Sequence, residues 1–398
     1  MKDTATAAPR HAEQNVRRPW GTLWRAGVIA LVTILVSATS VGAIVVWKIQ
    51  SQVQTVDLTD DSGEVSLPPI GELKGGFNVL IVGSDTRHGQ QSGHGFGDVG
   101  STLNDVNILV HISEDHTRAT AVSIPRDMVV QIPRCPKPDG GSTGAMSAQP
   151  INVALWYGGL GCVVLTVENL TGMDINYAGL ITFDGVAKMA DAIGGVEVCV
   201  DGPIHDPHTH LRFDKAGKYT IQGYQALAFL RSRHGVGDGS DLGRISSQQH
   251  YLSSMVRKIQ DEGVLLDPAK VYGLAQVAAT SMTLSSSLSS IDTMVAIALV
   301  LKDIPRENIT FVQYPGTTGV GGVYLHKVAP LTAIADKLFT ALKKDTPFQL
   351  DGDATGVGSK VTGESPDPSS TAKPEGKVIT GLKGQSAGQI TCAVSNKY

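Results

Sequence analysis

From Ala26 to Trp47 the chain reads AGVIALVTILVSATSVGAIVVW, about 22 residues without a charge. No other stretch constrains the fold as tightly, because as a helix it would reach ~33 Å, enough to cross the hydrocarbon core of a bilayer. Lys2, Arg10, Arg17, Arg18 and Arg25 precede it against Asp3 and Glu13, whereas Lys48 is followed by Asp57, Asp60, Asp61 and Glu64. The positive-inside rule then puts residues 1–25 in the cytoplasm and everything beyond Lys48 outside a plasma membrane crossed once. Trp20, Trp24 and Trp47 suit the interfacial belts. A cleaved signal peptide is the competing reading, on Ser37-Ala38-Thr39 or Val41-Gly42-Ala43. The length of the apolar run favours an uncleaved anchor over 26–47.

Composition divides the remainder. Residues 48–74 are polar, carry Pro68-Pro69 and read as a stalk. Apolar runs begin at Phe77, and a folded domain is expected over 75–346. Residues 347–398 turn to Gly, Ser, Thr, Pro and Asp and read as a flexible tail with a short closing segment. Lys and Arg total 33 against 37 Asp and Glu, so no basic field argues for nucleic acid. Cys135, Cys162, Cys199 and Cys392 all lie beyond the anchor, in an oxidising space, and four thiols allow three pairings. Cys135 and Cys162 are the nearest pair and would close a Gly/Pro-rich excursion; Cys199 with Cys392 would then tie the tail to the domain. No Cys-x-x-Cys spacing points to zinc.

FNVLIVG (77–83), VNILVHI (106–112) and ATAVSI (119–124) read as buried strands, the last two joined by a turn-rich connection suited to a hairpin. If both neighbouring pairs are antiparallel, Asp85, Asp105 and Arg126 meet at one end of the sheet. Further on, a helix is expected over 163–170, a strand over 177–182 and a helix over 185–193 capped by Asp184; 196–200 reads as another strand. His205, His208 and His210 surround a proline without the spacing of paired ligands on one helix, and read as a solvated loop. Runs at 268–280, 291–302, 309–313 and 331–342 continue a mixed α/β pattern.

The segment FLRSRHGVGDGSDLGRISSQQ (229–249) concentrates the charge chemistry. Arg231 and Arg233, two apart, would share one face of an extended backbone. The glycine-rich run after them must turn, and Asp241 reads as the N-cap of a helix whose apolar positions are Leu242, Ile245, Leu252, Val256 and Ile259. On that helix Arg244 and Gln248 are i, i+4 neighbours. Forked cations near a helix N-terminus, with carboxylates at a sheet end, make a site for a phosphate or pyrophosphate with a divalent cation. Free nucleoside triphosphates are scarce outside a membrane, so a substrate presented by the bilayer is expected.

FNVLIVGSDTR, LNDVNILVHISED, ATAVSIPRDMVVQIP, NVALWYGG, LTVENLTGMDINY, FDGVAKMADAIGGVEV, AGKYTIQGYQALAFLRSRHG and DGSDLGRISSQQHYL resemble, in order, the LytR-CpsA-Psr proteins of Gram-positive cell envelopes. The resemblance covers about Gly76 to Gln260 and agrees with the anchor-then-domain layout. It implies an α/β/α sandwich around a mixed central sheet, with a hydrophobic lipid pocket to which 150–200 and 270–300 would contribute, preceded by one transmembrane helix. It implies a phosphotransferase that moves a glycopolymer from a polyprenyl-pyrophosphate carrier onto peptidoglycan through a phosphodiester bond, using Mg2+, or Mn2+ in its place, with pyrophosphatase activity as an accompanying reaction. Asp85 and Asp105 match the family's metal-linked aspartates. Arg126 matches the arginine nearest the reacting phosphorus, and Arg231, Arg233 and Arg244 match the pyrophosphate arginines. Asp241 matches an acidic residue of the same loop, able to orient arginines or engage the acceptor hydroxyl, and Gln248 a polar residue facing the site. The family commonly carries Arg-Ser/Thr-Asp-Thr where this chain reads Leu103-Asn104-Asp105-Val106. Arg87 or the 88–100 loop would have to supply the missing charge.

Two other functions compete. A polyprenyl-pyrophosphate phosphatase would use water as acceptor. A non-catalytic membrane regulator or scaffold would not need carboxylates beside an arginine clamp, and about 25 cytoplasmic residues cannot hold a helix-turn-helix domain.

Overall fold

The computed structural model describes residues 24–34, 36–37, 40, 54–56, 73, 75–86, 102–137, 140–351, 354–362 and 376–396. Contacts divide the chain into residues up to Ser51 and a larger unit from Gln52 onward. In the first, Trp24–Ile34 forms an apolar helix, α1, of the kind a membrane anchor uses; the rest of the expected 26–47 span lies largely outside the described residues. So do Arg87, nearly all of the expected stalk and the 363–375 linker.

The second unit begins with β1 (Gln54–Val56), β2 (Phe77–Ser84), β3 (Asn104–Ile112) and β4 (Ala119–Ile124), then a hairpin of β5 (Val129–Ile132) and β6 (Met146–Pro150). Next come α2 (Ala154–Thr171), β7 (Tyr177–Ile181), α3 (Phe183–Ala192) and β8 (Val196–Val200). A small hairpin of β9 (Ile204–Asp206) and β10 (Leu211–Phe213) leads to β11 (Gly217–Ile221) and α4 (Gly223–Arg231). The long helix α5 (Asp241–Asp261) precedes α6 (Pro268–Ser281), β12 (Met282–Ser285), α7 (Ile291–Asp303) and β13 (Ile309–Gln313). The hairpin β14 (Gly316–Thr317)/β15 (Ala329–Pro330), α8 (Thr332–Lys343) and short strands β16 (Phe348–Gln349), β17 (Ser359–Val361), β18 (Lys377–Val378), β19 (Lys383–Ser386) and β20 (Thr391–Ala393) complete it.

Eight strands form one mixed sheet in the order β1-β12-β7-β2-β3-β4-β13-β19. Period-two alternation decides which side chain serves which face. Leu80, Val82, Leu109, Val122 and Val312 pack against α2 and α8, with Val163, Val167, Leu338 and Phe339 opposite them. Phe77, Ile108, Ile112, Ala121 and Phe311 point the other way, to a cluster that takes in Val256 of α5 and Ile297 of α7. The result is the expected α/β/α sandwich. A smaller sheet, β11-β8-β20-β17, has its own core with Phe229 of α4 and Tyr251 of α5.

The principal departure concerns the expected flexible tail from 347. β19 pairs antiparallel with β13 at the edge of the large sheet, and β20 pairs with β17 and β8 in the small one. Both expected cysteine pairs are joined: Cys135–Cys162, and Cys199–Cys392, which ties β8 to β20. The tail strands dock on a polar face of α5, where Gln385 Nε2 donates to Ser253 Oγ at 2.7 Å and Ser359 Oγ to the Ser246 carbonyl at 2.8 Å. Backbone pairing and buried polar contacts hold it, so no apolar stripe announces it. Helix α2 also starts earlier than 163, at Ala154, because a break at Gly158-Gly159 interrupts its periodicity.

Candidate functional site

β2 pairs antiparallel with β3, and β3 with β4, so the end of β2, the start of β3 and the end of β4 share one edge. Asp85 follows β2. Its backbone N–H donates to the Leu103 carbonyl at 3.2 Å, and its Oδ1 accepts from the Leu103 N–H at 2.8 Å. Leu103, where the family pattern carries arginine, thus holds Asp85 through its amide. Asp105 is the second residue of β3, and Arg126 stands two residues after β4.

Arg126 is the hub. Its Nη1 donates to Asp105 Oδ1 at 2.7 Å, and its Nε lies 3.7 Å from Asp241 Oδ1 and 3.7 Å from Asp127 Oδ2. Arg244 Nη2 lies 2.7 Å from Asp241 Oδ1 and donates to the Asp105 carbonyl at 2.9 Å. Burial works against the charge on Arg126, but Asp105, Asp241 and Asp127 outweigh it and hold its pKa above the ordinary arginine value. Arg244 and Asp241 are almost fully buried. The Arg244–Asp241 contact is an ion pair, while among the described residues no group is angled to donate a hydrogen bond to either Asp241 oxygen. Nε of Arg126 and Nε of Arg244 are likewise buried without a hydrogen-bond partner among the described residues. Buried polar groups usually find partners, so Asp241 Oδ2 and the two Nε atoms, gathered in one cluster, suit a ligand that supplies them.

α5 delivers two of these residues. Ser240, not Asp241, is its N-cap, accepting from the Gly243 N–H at 3.2 Å. That leaves the Asp241 carboxylate in the first turn, available to the arginines. The expected extended Arg231-x-Arg233 face is not formed: α4 runs to Arg231, whose guanidinium carbon sits 4.3 Å from the centre of the Phe183 ring. Arg233 lies in the following turn, its Nε buried without a hydrogen-bond partner among the described residues. Gln248, one turn beyond Arg244, donates from Nε2 to the Leu230 carbonyl at 2.8 Å and joins α5 to the end of α4. Direct side-chain contact therefore links Asp105, Arg126, Asp241 and Arg244. Asp85 stands at the same sheet edge, and Arg231, Arg233 and Gln248 lie along the connected α4–α5 segment.

Sequence reasoning missed three residues. Asn104, fully buried, accepts at Oδ1 from the Leu155 N–H at 3.1 Å and donates from Nδ2 to the Ile151 carbonyl at 3.1 Å, fastening the start of α2 to β3. Asp127 lies 3.1 Å from Lys327 Nζ. Asp206 holds the Arg233 turn. An asparagine or aspartate at a strand end was the available signal in each case.

An apolar groove of about 1070 Å³ runs along the start of α2, lined by Met146, Leu155, Trp156, Leu160 and Leu180, with Thr102 among its walls. Thr102 Oγ1 and Thr86 Oγ1 are 2.6 Å apart, so the groove reaches the residue beside Asp85. Gly159, at φ +66°, turns the helix here, and a Cβ on Gly158 would meet Cys162 Cβ at 2.8 Å and the Pro136 carbonyl oxygen at 2.9 Å. The Cys135–Cys162 bridge thus pins the β5–β6 connection against the break. Two smaller cavities, of about 420 Å³ and about 360 Å³, lie elsewhere, beside Leu266 and Arg306 and beside Cys199.

Among the described residues no three His, Cys, Asp or Glu gather as a metal cage. Asp85 and Asp105 bring two carboxylates to this sheet edge, oxygen donors of the type that Mg2+ takes beside substrate and water.

A model of the LytR_cpsA_psr family matches residues 39–344. The cell wall biosynthesis protein LcpA of Corynebacterium glutamicum is 27% identical over 316 residues, which are 73% of this chain and 60% of LcpA's length. The polyisoprenyl-teichoic acid–peptidoglycan teichoic acid transferase TagT of Bacillus subtilis is 29% identical over 245 residues, 58% of this chain and 68% of TagT. The crystal structure of B. subtilis TagV superposes with a TM-score of 0.55 at 23% identity, covering 69% of this chain and 99% of that one, and establishes the likeness of fold.

Proposed function

The chain belongs to the LytR-CpsA-Psr family, and from that premise we propose that it transfers a cell-wall glycopolymer from a polyprenyl-pyrophosphate carrier to peptidoglycan. The observation that carries this reading is the Arg126–Asp105–Asp241–Arg244 cluster at a sheet edge where Asn104, the residue before Asp105, accepts from the N–H of Leu155 in the wall of the apolar groove. A lipid pyrophosphate needs both: cations for the head and dry apolar walls for the tail. The name of TagT, a polyisoprenyl-linked teichoic acid transferase acting on peptidoglycan, is consistent with that substrate class.

In the reaction, an acceptor hydroxyl oxygen attacks the phosphorus that bears the polymer. The bond from that phosphorus to the bridging oxygen breaks, a phosphodiester forms, and polyprenyl phosphate departs. Arg126 and Arg244 bind and neutralise the phosphate oxygens, Arg126 closest to the reacting centre. Arg231, Arg233 and Gln248 hold the rest of the pyrophosphate. The Asp241 carboxylate, its oxygens still able to accept, takes the hydroxyl proton. Asp85 and Asp105 would hold Mg2+, or Mn2+, which supplies charge neutralisation at the pyrophosphate. Residues 26–47 anchor the chain as a single span, with 1–25 cytoplasmic and the catalytic domain outside, next to the lipid substrate.

The test is product analysis with a short prenyl-pyrophosphate-linked oligosaccharide and peptidoglycan fragments. Oligosaccharide joined to glycan by a phosphodiester, with prenyl phosphate released, is expected. Free oligosaccharide phosphate alone would turn the assignment to a phosphatase. No turnover and no binding of the donor, with or without Mg2+, would revive the scaffold reading.

A further inference from the structure

Asp206 closes β9 and is 1% exposed. A buried carboxylate ordinarily calls for a cation; among the described residues none forms an ion pair with it. Four neutral donors surround it instead. Oδ2 accepts from Ser232 Oγ at 2.8 Å, from the Arg233 N–H at 3.1 Å and from the Gly235 N–H at 3.4 Å, and Oδ1 accepts from the His208 N–H at 3.0 Å. Burial alone would raise the Asp206 pKa, but these hydrogen bonds outweigh it and hold it below the usual value. Three of the four donors belong to residues 232–235, so the carboxylate gathers one turn around itself as an anion does in a backbone nest.

That turn contains Arg233. Its closeness to Asp206 depends on a glycine: a Cβ on Gly235 would stand 2.8 Å from Ile204 Cγ2 and 3.1 Å from Asp206 Cβ. From the other side, residues 394–396 clasp the same turn. Gly237 N–H donates to the Val394 carbonyl at 2.9 Å, Asn396 N–H to the Gly235 carbonyl at 3.0 Å, and Asn396 Nδ2 to the His234 carbonyl at 3.0 Å. The backbone that launches the Arg233 side chain is therefore fixed on both flanks. Holding it this way costs the chain a desolvated carboxylate, which a loop needed only to connect two helices has no reason to keep.

We propose that Asp206 is the positioning residue for Arg233, setting the guanidinium where it meets the pyrophosphate of the lipid substrate. This rests on the proposed function, in which Arg233 is a pyrophosphate ligand. Asp206 does not touch substrate; it acts through Arg233 alone.

The experiment is a double-mutant cycle on the full chain in detergent, with geranylgeranyl pyrophosphate as probe and calorimetric titration as readout. Asp206→Asn keeps the shape but can turn an N–H toward the Arg233 and Gly235 amides. It is expected to weaken probe binding about tenfold in the wild-type background and not at all in an Arg233→Ala background. Equal losses in both backgrounds, as a purely structural role would give, overturn the proposal, as does wild-type binding by Asp206→Asn. Should that variant fail to fold, Ser232→Ala removes one donor only and is expected to lose about threefold, again in the wild-type background alone; loss in both backgrounds counts against the proposal. A wild-type chain that does not bind the probe sinks the proposed function, and this inference with it.

Discussion

Arg126 Nη1 meets Asp105 Oδ1 at 2.7 Å, joining the second residue after β4 to the start of β3 across one sheet edge. The same guanidinium turns its Nε toward Asp241, so one planar group faces two carboxylates from separate elements. An ammonium is a point charge and cannot reproduce that fork.

Arg126→Lys is therefore expected to lower transfer by 10²-fold or more, on the order of the loss of one preorganised donor at a reacting centre. The melting temperature should stay within a few degrees of wild type. Transfer assays beside thermal denaturation check both halves; near-normal transfer by the lysine variant would remove Arg126 from the reacting centre.

Acid should destabilise the domain through His250. Its Nε2 accepts from the Cys199 N–H at 3.1 Å and its Nδ1 engages Thr391 Oγ1 at 2.9 Å, an arrangement for the neutral ring. Burial, aided by Arg257, pushes its pKa down from 6.5 to about 3. The unfolded chain binds a proton below pH 6.5 that the folded chain refuses until about pH 3. Stability present above pH 6.5 is thus lost as pH falls through that window, by about 2 kcal/mol at pH 5. Denaturant melts at pH 7.5 and pH 5 should show a smaller acid loss for His250→Gln than for wild type.

Removing the Cys199–Cys392 bridge, with both residues changed to Ser, opens a loop of sequence separation 193. A loss of about 3–5 kcal/mol is expected from the unfolded-chain term. Because residues 394–396 hold the Arg233 turn, prenyl-pyrophosphate affinity should fall as well, at temperatures where the variant is still folded. An unchanged affinity in the folded variant would separate the bridge from the site.

Gly144 lines the groove, and a Cβ there meets nothing within 4 Å. Gly144→Trp should add bulk without disturbing the core. Affinity for a long prenyl pyrophosphate is expected to fall about tenfold or more, with inorganic pyrophosphate binding unaltered. Equal losses for both ligands would mean that the groove does not hold the lipid.

The sheet edge was legible because it follows from strand alternation and antiparallel hairpins, which bring Asp85, Asp105 and Arg126 together without tertiary knowledge. The arginine segment was legible in chemistry but not in conformation. Two charges spaced i, i+2 suggest a strand face, yet Ala226 and Phe229, three residues apart, bury one helical face in the smaller core and carry α4 through Arg231. At the start of α5 two capping residues stand side by side; Ser240 caps, which releases the Asp241 carboxylate for Arg126 and Arg244. The C-terminal strands were hidden for a different reason. Gly384 and Gln385 pair with β13 through backbone groups that every residue possesses, so composition could not announce them. Only Cys392 hinted that this segment returns to the domain. Asp206 was screened by its neighbours, since among the histidines of PIHDPHTH it read as part of a solvated loop.

His234 and the Asn396 side chain that bonds its carbonyl are 162 residues apart in the chain. The turn carrying Arg233 therefore cannot reach its working shape by local folding. On the proposed function, a nascent or partly opened chain would have the arginines in its sequence but no preformed grip on a pyrophosphate until β20 is in place. Non-local closure of this kind would make the proposed activity an all-or-none property of the finished domain, and a sensitive report of its completion.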